Sequence, residues 1–157
     1  MAMRRSERAM SEDDTLRLLE GEQLGVLSTT SAKGIPYGVP LNYCYVREDN
    51  AIFFHCALKG RKMDDMLENS NVSFTVVGKN RIIAEKLTTY YESVIVSGRV
   101  SLVDDGEKEL RFDQLCQHLT PGIEWRQDGG CRFLKAVAIV RMDIESMTGK
   151  RNGLKTE

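Results

Sequence analysis

Phe54-His55-Cys56-Ala57-Leu58-Lys59-Gly60-Arg61-Lys62-Met63 gathers three cations and one of the chain's two histidines in ten positions. The apolar beginning reads as a strand and Lys59-Gly60 as a turn. Residues 60–68 read as a helix with Met63, Met66 and Leu67 on one face. Lys59, Arg61 and Lys62 therefore sit at the positive end of a helix dipole, each at a cost of roughly 0.3–1 kcal/mol. A bound anion removes the conflict, because unpaired helix N–H groups and neighbouring cations together make a phosphate site. The plain alternative is a solvated charge run. The position at a helix start favours the phosphate grip of a nucleotide-like cofactor.

Other chemistries find less support. The histidines are His55 and His118, and no Gly-x-Ser-x-Gly elbow is present. Cys44, Cys56, Cys116 and Cys131 contain no Cys-x-x-Cys spacing, so no metal site is expected despite the Cys116-Gln117-His118 string. Cys44 and Cys56 fall in apolar strands and read as small core residues. The acid pairs Asp64-Asp65 and Asp104-Asp105 read as helix dressing. A net charge of −1 over 157 residues lacks the basic face that nucleic acid requires. No apolar run approaches the ~20 residues of a membrane span. The first ten residues carry Arg4, Arg5 and Arg8 without an apolar stretch, so no secretory signal is read and a cytoplasmic protein is expected.

The elements that must hold the cationic turn are mostly strands. Residues 1–10 read as a flexible tail, 11–148 as one domain and 149–157 as a polar tail. Ser11 begins a helix whose first turn is acidic. Strands are expected at 25–31, 35–46, 51–56, 72–77, 88–103 and 133–147, with Gly78-Lys79-Asn80-Arg81 as a break. Pro36 and Pro40 require the second strand to be an edge or bulged, since proline cannot donate to a ladder. Gly98 marks a bulge or a close backbone approach. Asp104-Asp105 opens a helix with Leu110, Leu115 and Leu119 inward, and 120–132 is a Gly-rich loop carrying Trp125. Six strands at hairpin spacing with inserted helices predict a mainly β, antiparallel barrel with peripheral helices.

Tyr37-Gly38-Val39-Pro40-Leu41-Asn42-Tyr43, then Ile52-Phe53-Phe54-His55-Cys56-Ala57, Gly60-Arg61-Lys62 and Val72-Ser73-Phe74-Thr75-Val76-Val77-Gly78 occur in an order that resembles the nitroimidazole-resistance proteins. These are pyridoxamine 5′-phosphate oxidase-like FMN-binding split barrels. Tyr91 to Gly98 and Ile144 to Lys150 add to the likeness. The resemblance implies a six-stranded split β-barrel of Greek-key type and a homodimer with FMN at the subunit interface. It implies that the main chain at Val39, Pro40, Leu41, Asn42 and Tyr43 lies against the flavin ring. His55, Cys56 and Ala57 would line the ring edge and ribityl chain, with Gly60, Arg61 and Lys62 at the phosphate. Glu92 and Ser93 would reach in from the partner subunit. Many relatives carry His where this chain has Arg61; the planar guanidinium still suits a phosphate.

Several residues keep two readings. His55 is either an edge histidine satisfied by backbone or a donor to the flavin or its phosphate. Pro40 and Asn42 mark either a bulge or a cofactor contact. Of Tyr90 and Tyr91, which point to opposite faces, one should meet core or partner. Trp125 either lids a pocket or anchors its loop. The expected function is an FMN-dependent oxidoreductase passing electrons to a small organic acceptor, with nitroimidazole or nitroaromatic compounds suggested by the resemblance. NAD(P)H or a reductase would be the donor. The alternative is a non-catalytic split-barrel module holding flavin or haem.

Overall fold

The computed structural model describes residues 4–124 and 134–153. Among these residues three α-helices and seven strands follow in the order α1 (Glu12–Gly21), β1 (Leu24–Thr30), β2 (Pro36–Asn42), β3 (Cys44–Val46), β4 (Ala51–Ala57), α2 (Arg61–Glu68), β5 (Asn71–Ile83), β6 (Thr88–Leu102), α3 (Asp105–Leu119) and β7 (Val137–Asn152). The strands form one antiparallel sheet in the order β2-β1-β5-β6-β7-β4-β3.

The two edges of this sheet, β2 and β3, are separated in the chain by Tyr43 alone. The sheet must therefore curl until its edges meet, and β2 and β4 come within 8 Å of each other. Among the described residues no hydrogen-bonded ladder joins the edges; where a six-stranded split barrel is expected, the strands form one curled, open seven-stranded sheet. The extra strand arises at residues 35–46, which read as one strand but divide at Tyr43. There the side chain is fully buried and the N–H donates to the Gln23 carbonyl at 3.3 Å. Pro36 and Pro40 both lie on edge strand β2, where their missing N–H groups do no harm.

Inward residues of the strands make the main core, with Leu27, Phe54, Phe74, Val94 and Met142 wholly buried. A second cluster of Cys44, Ala51, Phe53, Phe112, Leu115 and Ile139 lies beneath α3. Strand β4 belongs to both, so its first four residues are buried on either face before His55 and Ala57 emerge to solvent. Cys44 and Cys56 are buried thiols, as their strand positions predict, and burial pushes the Cys44 thiol up to about 12.

Three boundaries move outward from the sequence reading. Gly78 to Arg81 does not end β5: the register slips between Val77 and Asn80, and Asn80, Arg81, Ile82 and Ile83 resume pairing with Tyr91, Tyr90, Thr89 and Thr88. Strand β7 runs past Thr148, with Lys150, Arg151 and Asn152 opposite Ser93, Glu92 and Tyr91. At the other end, Ala9 bridges to Lys150 and the Met10 N–H donates to the Gly149 carbonyl at 3.0 Å, fastening the end of the N-terminal segment.

The helices show similar adjustments. Ser11 caps α1, accepting from the Asp14 N–H at 3.1 Å. Asp104 occupies the N-cap of α3 without a side-chain cap bond. Leu115 is buried as expected and Leu119 packs beside it, but Leu110 faces solvent and Phe112 takes an inward place. Leu67 is likewise exposed, whereas Asp65 is buried. Gly98 sits at a register shift between β6 and β7, where a Cβ would lie 2.0 Å from the Asp143 carbonyl oxygen. Among the described residues, no helix is long and apolar enough to cross a membrane.

Candidate functional site at the start of α2

The passage from β4 into α2 depends on Gly60, whose φ of 127° and ψ of 167° lie in a region that essentially only glycine enters. As the N-cap it has no side chain to satisfy the first helical N–H groups. Its carbonyl accepts from Met63 and Asp64 at 2.8 and 3.0 Å, which starts the helix. A Cβ at Gly60 would meet nothing within 4 Å, so the space beside the helix start is open. Lys59 and Arg61 are exposed and Lys62 half-buried around it. An uncapped helix start, an open cradle and three cations fit an anionic group such as a phosphate.

Arg61 does not wave in solvent. Its guanidinium lies over the Tyr37 ring, 4.3 Å from the centroid, and Nη2 donates to the Pro36 carbonyl at 3.4 Å. Nε is 3.8 Å from Oδ2 of Asp65 one helical turn on. That carboxylate is only 4% exposed and accepts a 2.8 Å hydrogen bond from Oγ1 of Thr29, itself buried on β1. Asp65 is thus an internal anion with two partners, which corrects its reading as helix dressing. Tyr37, Thr29 and Asp65 are the residues that sequence reasoning missed. A faint signal existed, since Asp65 falls between Met63 and Met66 on the helix's inward side.

His55 and Ala57 emerge on the outer face of β4, leading toward Gly60. The His55 ring stands edge-on to Phe112, with centroids 6.3 Å apart. Desolvation, followed by the Lys62 charge, holds its imidazole below the ordinary value of 6.5. The ring is therefore neutral at pH 7 and can donate from one nitrogen. Cys56 points the other way, into the main core.

On β2, Val39 and Leu41 pack against the core while Pro40 and Asn42 face out. The Asn42 amide donates to the Gln23 carbonyl at 3.0 Å. Tyr43 is fully buried and gives its hydroxyl proton to the Leu19 carbonyl, so its side chain faces the interior. Glu92 and Ser93 lie on β6, which β1 and β5 separate from β2 in the sheet. The Glu92 carboxylate receives Nε and Nη2 of Arg151, each at 3.2 Å. Within one chain, then, the α2 start gathers with Tyr37 and His55, and the Glu92-Ser93 pair lies on a separate strand. Trp125 and its Gly-rich loop lie outside the described residues.

The sequence pattern of the family described as pyridoxamine 5′-phosphate oxidase matches residues 11–151. The chain belongs to that family. Solved structures of similar fold include a candidate 5-nitroimidazole antibiotic resistance protein from Bacteroides thetaiotaomicron, 21% identical, with a TM-score of 0.76 over 91% of this chain and 85% of that one. A protein from Mesorhizobium loti described as FAD-binding is 26% identical, with a TM-score of 0.71 over 93% of this chain and 98% of its own. A flavocytochrome from Azotobacter vinelandii is 20% identical, with a TM-score of 0.79 over 99% and 76% of the two chains. No curated protein matches the sequence. The family match runs from the cap of α1 to Arg151, one residue short of the end of β7, and so takes in every candidate residue described above.

Proposed function

We propose that this chain is an FMN-dependent oxidoreductase that works as a cytoplasmic homodimer and reduces a small organic acceptor, with nitroimidazole or nitroaromatic compounds as the first class to try. The observation that carries the reading is the uncapped start of α2, where the space beside Gly60 is open and Lys59, Arg61 and Lys62 lie within two residues of it in the chain. When bound, flavin supplies the electron-transfer chemistry, and the protein's share is to bind, orient and tune it. Arg61 and Lys62 would hold the phosphate. Neutral His55 would offer a donor beside it, and the exposed edge of β2 at Pro40 and Asn42 would lie along the ring. The Mesorhizobium loti relative's FAD is compatible, since FAD and FMN share the isoalloxazine, the ribityl chain and the first phosphate. The phosphate grip alone recognises that common part.

A second copy is supported by the outer face of the sheet. Pro40, Val26, Thr75, Ile95 and Thr148 stand opposite one another in a single row across five strands. Val26 and Ile95 in this row are 40% and 48% exposed. The next row is Gly38, Ser28, Ser73, Ser97 and Ser146, all small. An exposed row with two large apolar side chains, bordered on one side by a row of small residues, suits close approach of an identical sheet. Such a dimer would carry the partner's Glu92-Ser93 strand toward the α2 start.

The test is direct. Purified protein should be yellow, or should take up FMN on titration, and Arg61→Ala/Lys62→Ala should lose the cofactor while keeping its fold by circular dichroism. Wild-type protein that gains no FMN, or a double variant that retains it unchanged, would defeat the assignment. Bleaching by NADH or NADPH, followed by reoxidation with a nitroaromatic acceptor, separates an enzyme from a module that only binds.

A further inference from the structure

We infer that Tyr37, Asp65 and Thr29 form a positioning set that fixes the Arg61 guanidinium before any ligand arrives, so that this chain selects a phosphorylated ligand over its dephosphorylated counterpart. The inference rests on the phosphate-grip reading of the α2 start and adds three residues to it.

Arginine is a long side chain, and holding it in one geometry costs conformational entropy at the moment of binding. Here that freedom is already restricted on three sides. The Tyr37 ring covers one face of the guanidinium at 4.3 Å. The Pro36 carbonyl takes Nη2 at 3.4 Å. Asp65 attracts Nε across 3.8 Å. Asp65 is itself fixed, because a carboxylate this deeply buried must be compensated, and Thr29 supplies a 2.8 Å hydrogen bond. The chain of contacts thus runs from β1 through α2 to the cation and returns to β2 through Tyr37. The geometry also accounts for arginine at position 61. A planar guanidinium can stack on a ring, meet a carboxylate through Nε and still present its remaining N–H groups, which a lysine or a histidine cannot do together.

Two forces compete. The Asp65 charge lowers the local attraction for an anion, whereas its anchoring reduces the entropy lost on binding. Variants that leave that charge in place separate the two, so the informative changes are Thr29→Val and Tyr37→Leu. Thr29→Val removes the anchor of Asp65 with little change in volume. Tyr37→Leu removes the stacking face and keeps both side chains of the Thr29–Asp65 pair, although position 37 stands directly opposite Thr29 across β1 and β2.

Two readouts decide the matter in the full chain. The first is the order parameter of the Arg61 Nε–H bond from nitrogen-15 relaxation, measured without ligand. It should be high in wild type and fall in both variants. A wild-type value below about 0.6, typical of flexible groups, overturns the inference. The second is the ratio of riboflavin to FMN dissociation constants. Each variant should weaken FMN by roughly three- to tenfold while leaving riboflavin unchanged, the gain expected from one pre-ordered side chain. Equal weakening of both ligands would mean a merely structural role, and an unchanged ratio in Tyr37→Leu would likewise overturn the inference. If wild type shows an ordered Arg61 yet binds no FMN, the flavin reading fails and phosphate selection falls with it. If wild type binds FMN and the variants match it, positioning alone fails.

Discussion

The hydroxyl of Tyr43 donates to the carbonyl of Leu19 across 2.7 Å, and this bond holds α1 against the one-residue joint between the two edges of the sheet. Leu19 lies in the last turn of α1, where carbonyls lack helical partners. Removing the hydroxyl strands a buried acceptor. Tyr43→Phe should therefore destabilise the fold by about 1–3 kcal/mol, read as a lower midpoint in urea melts. An unchanged midpoint would show that the joint does not depend on this bond.

Gly98→Ala should be more damaging than its size suggests. The added carbon would lie 2.0 Å from the Asp143 carbonyl oxygen, which is backbone and cannot rotate away. Displacing β7 from β6 should cost about 1–3 kcal/mol or more. Gly106→Ala, which lies in α3 and meets nothing within 4 Å, is the contrasting control and should leave thermal stability unchanged or slightly raised.

Gly60→Ala tests the helix start itself. There is room for the methyl group, but the φ of 127° is not accessible to alanine without strain. The strain is of order 1–3 kcal/mol, and relieving it would reorient the first turn of α2. Calorimetric titration should show FMN affinity falling more than global stability. Equal losses would mean that the turn has no ligand-specific role.

The His55 imidazole should titrate below 6.5 in the folded protein, because desolvation and then the Lys62 charge disfavour its protonated form. Between that lowered midpoint and 6.5 the unfolded chain binds more protons than the native one. The stability contribution of this site is therefore fully present above 6.5 and declines as pH falls through the folded midpoint. Proton NMR of the ring gives the midpoint directly. Lys62→Met should raise it part-way and leave the burial effect. A wild-type midpoint at or above 6.5 would contradict the geometry.

Ile95→Arg places a charge in the middle of the row formed by Pro40, Val26, Thr75 and Thr148. If two copies meet there, light scattering should show dimer in wild type and monomer in the variant, with the circular dichroism spectrum retained. A variant that remains a dimer would move the interface elsewhere.

The cationic turn was legible because its signal is local. An apolar strand, a glycine and a helix with cations in its first turn lie within a dozen residues. The edge placement of Pro36 and Pro40 was legible for the same reason, since a missing N–H is a property of the residue itself. The extensions of β5 and β7 were not. Gly78 to Arg81 and Gly149 to Asn152 are polar and poor in strand formers, and they are extended because β6 lies alongside to pair with them. The division at Tyr43 was hidden because it depends on α1, whose Leu19 carbonyl draws the ring inward. Asp65 looked like a surface acid because its partner Thr29 lies 36 residues away in sequence.

The two prolines of β2 have a consequence for the protein's behaviour at high concentration. An outer strand with a full set of free amides is a template on which further chains can add, the route to fibrils and disordered clumps. Here that border lacks amide hydrogens at Pro36 and Pro40, two of its seven positions, so an incoming strand could not complete its ladder there. Replacing both with threonine would restore the missing hydrogens and open this margin to self-templated aggregation, even though the native fold would keep its shape.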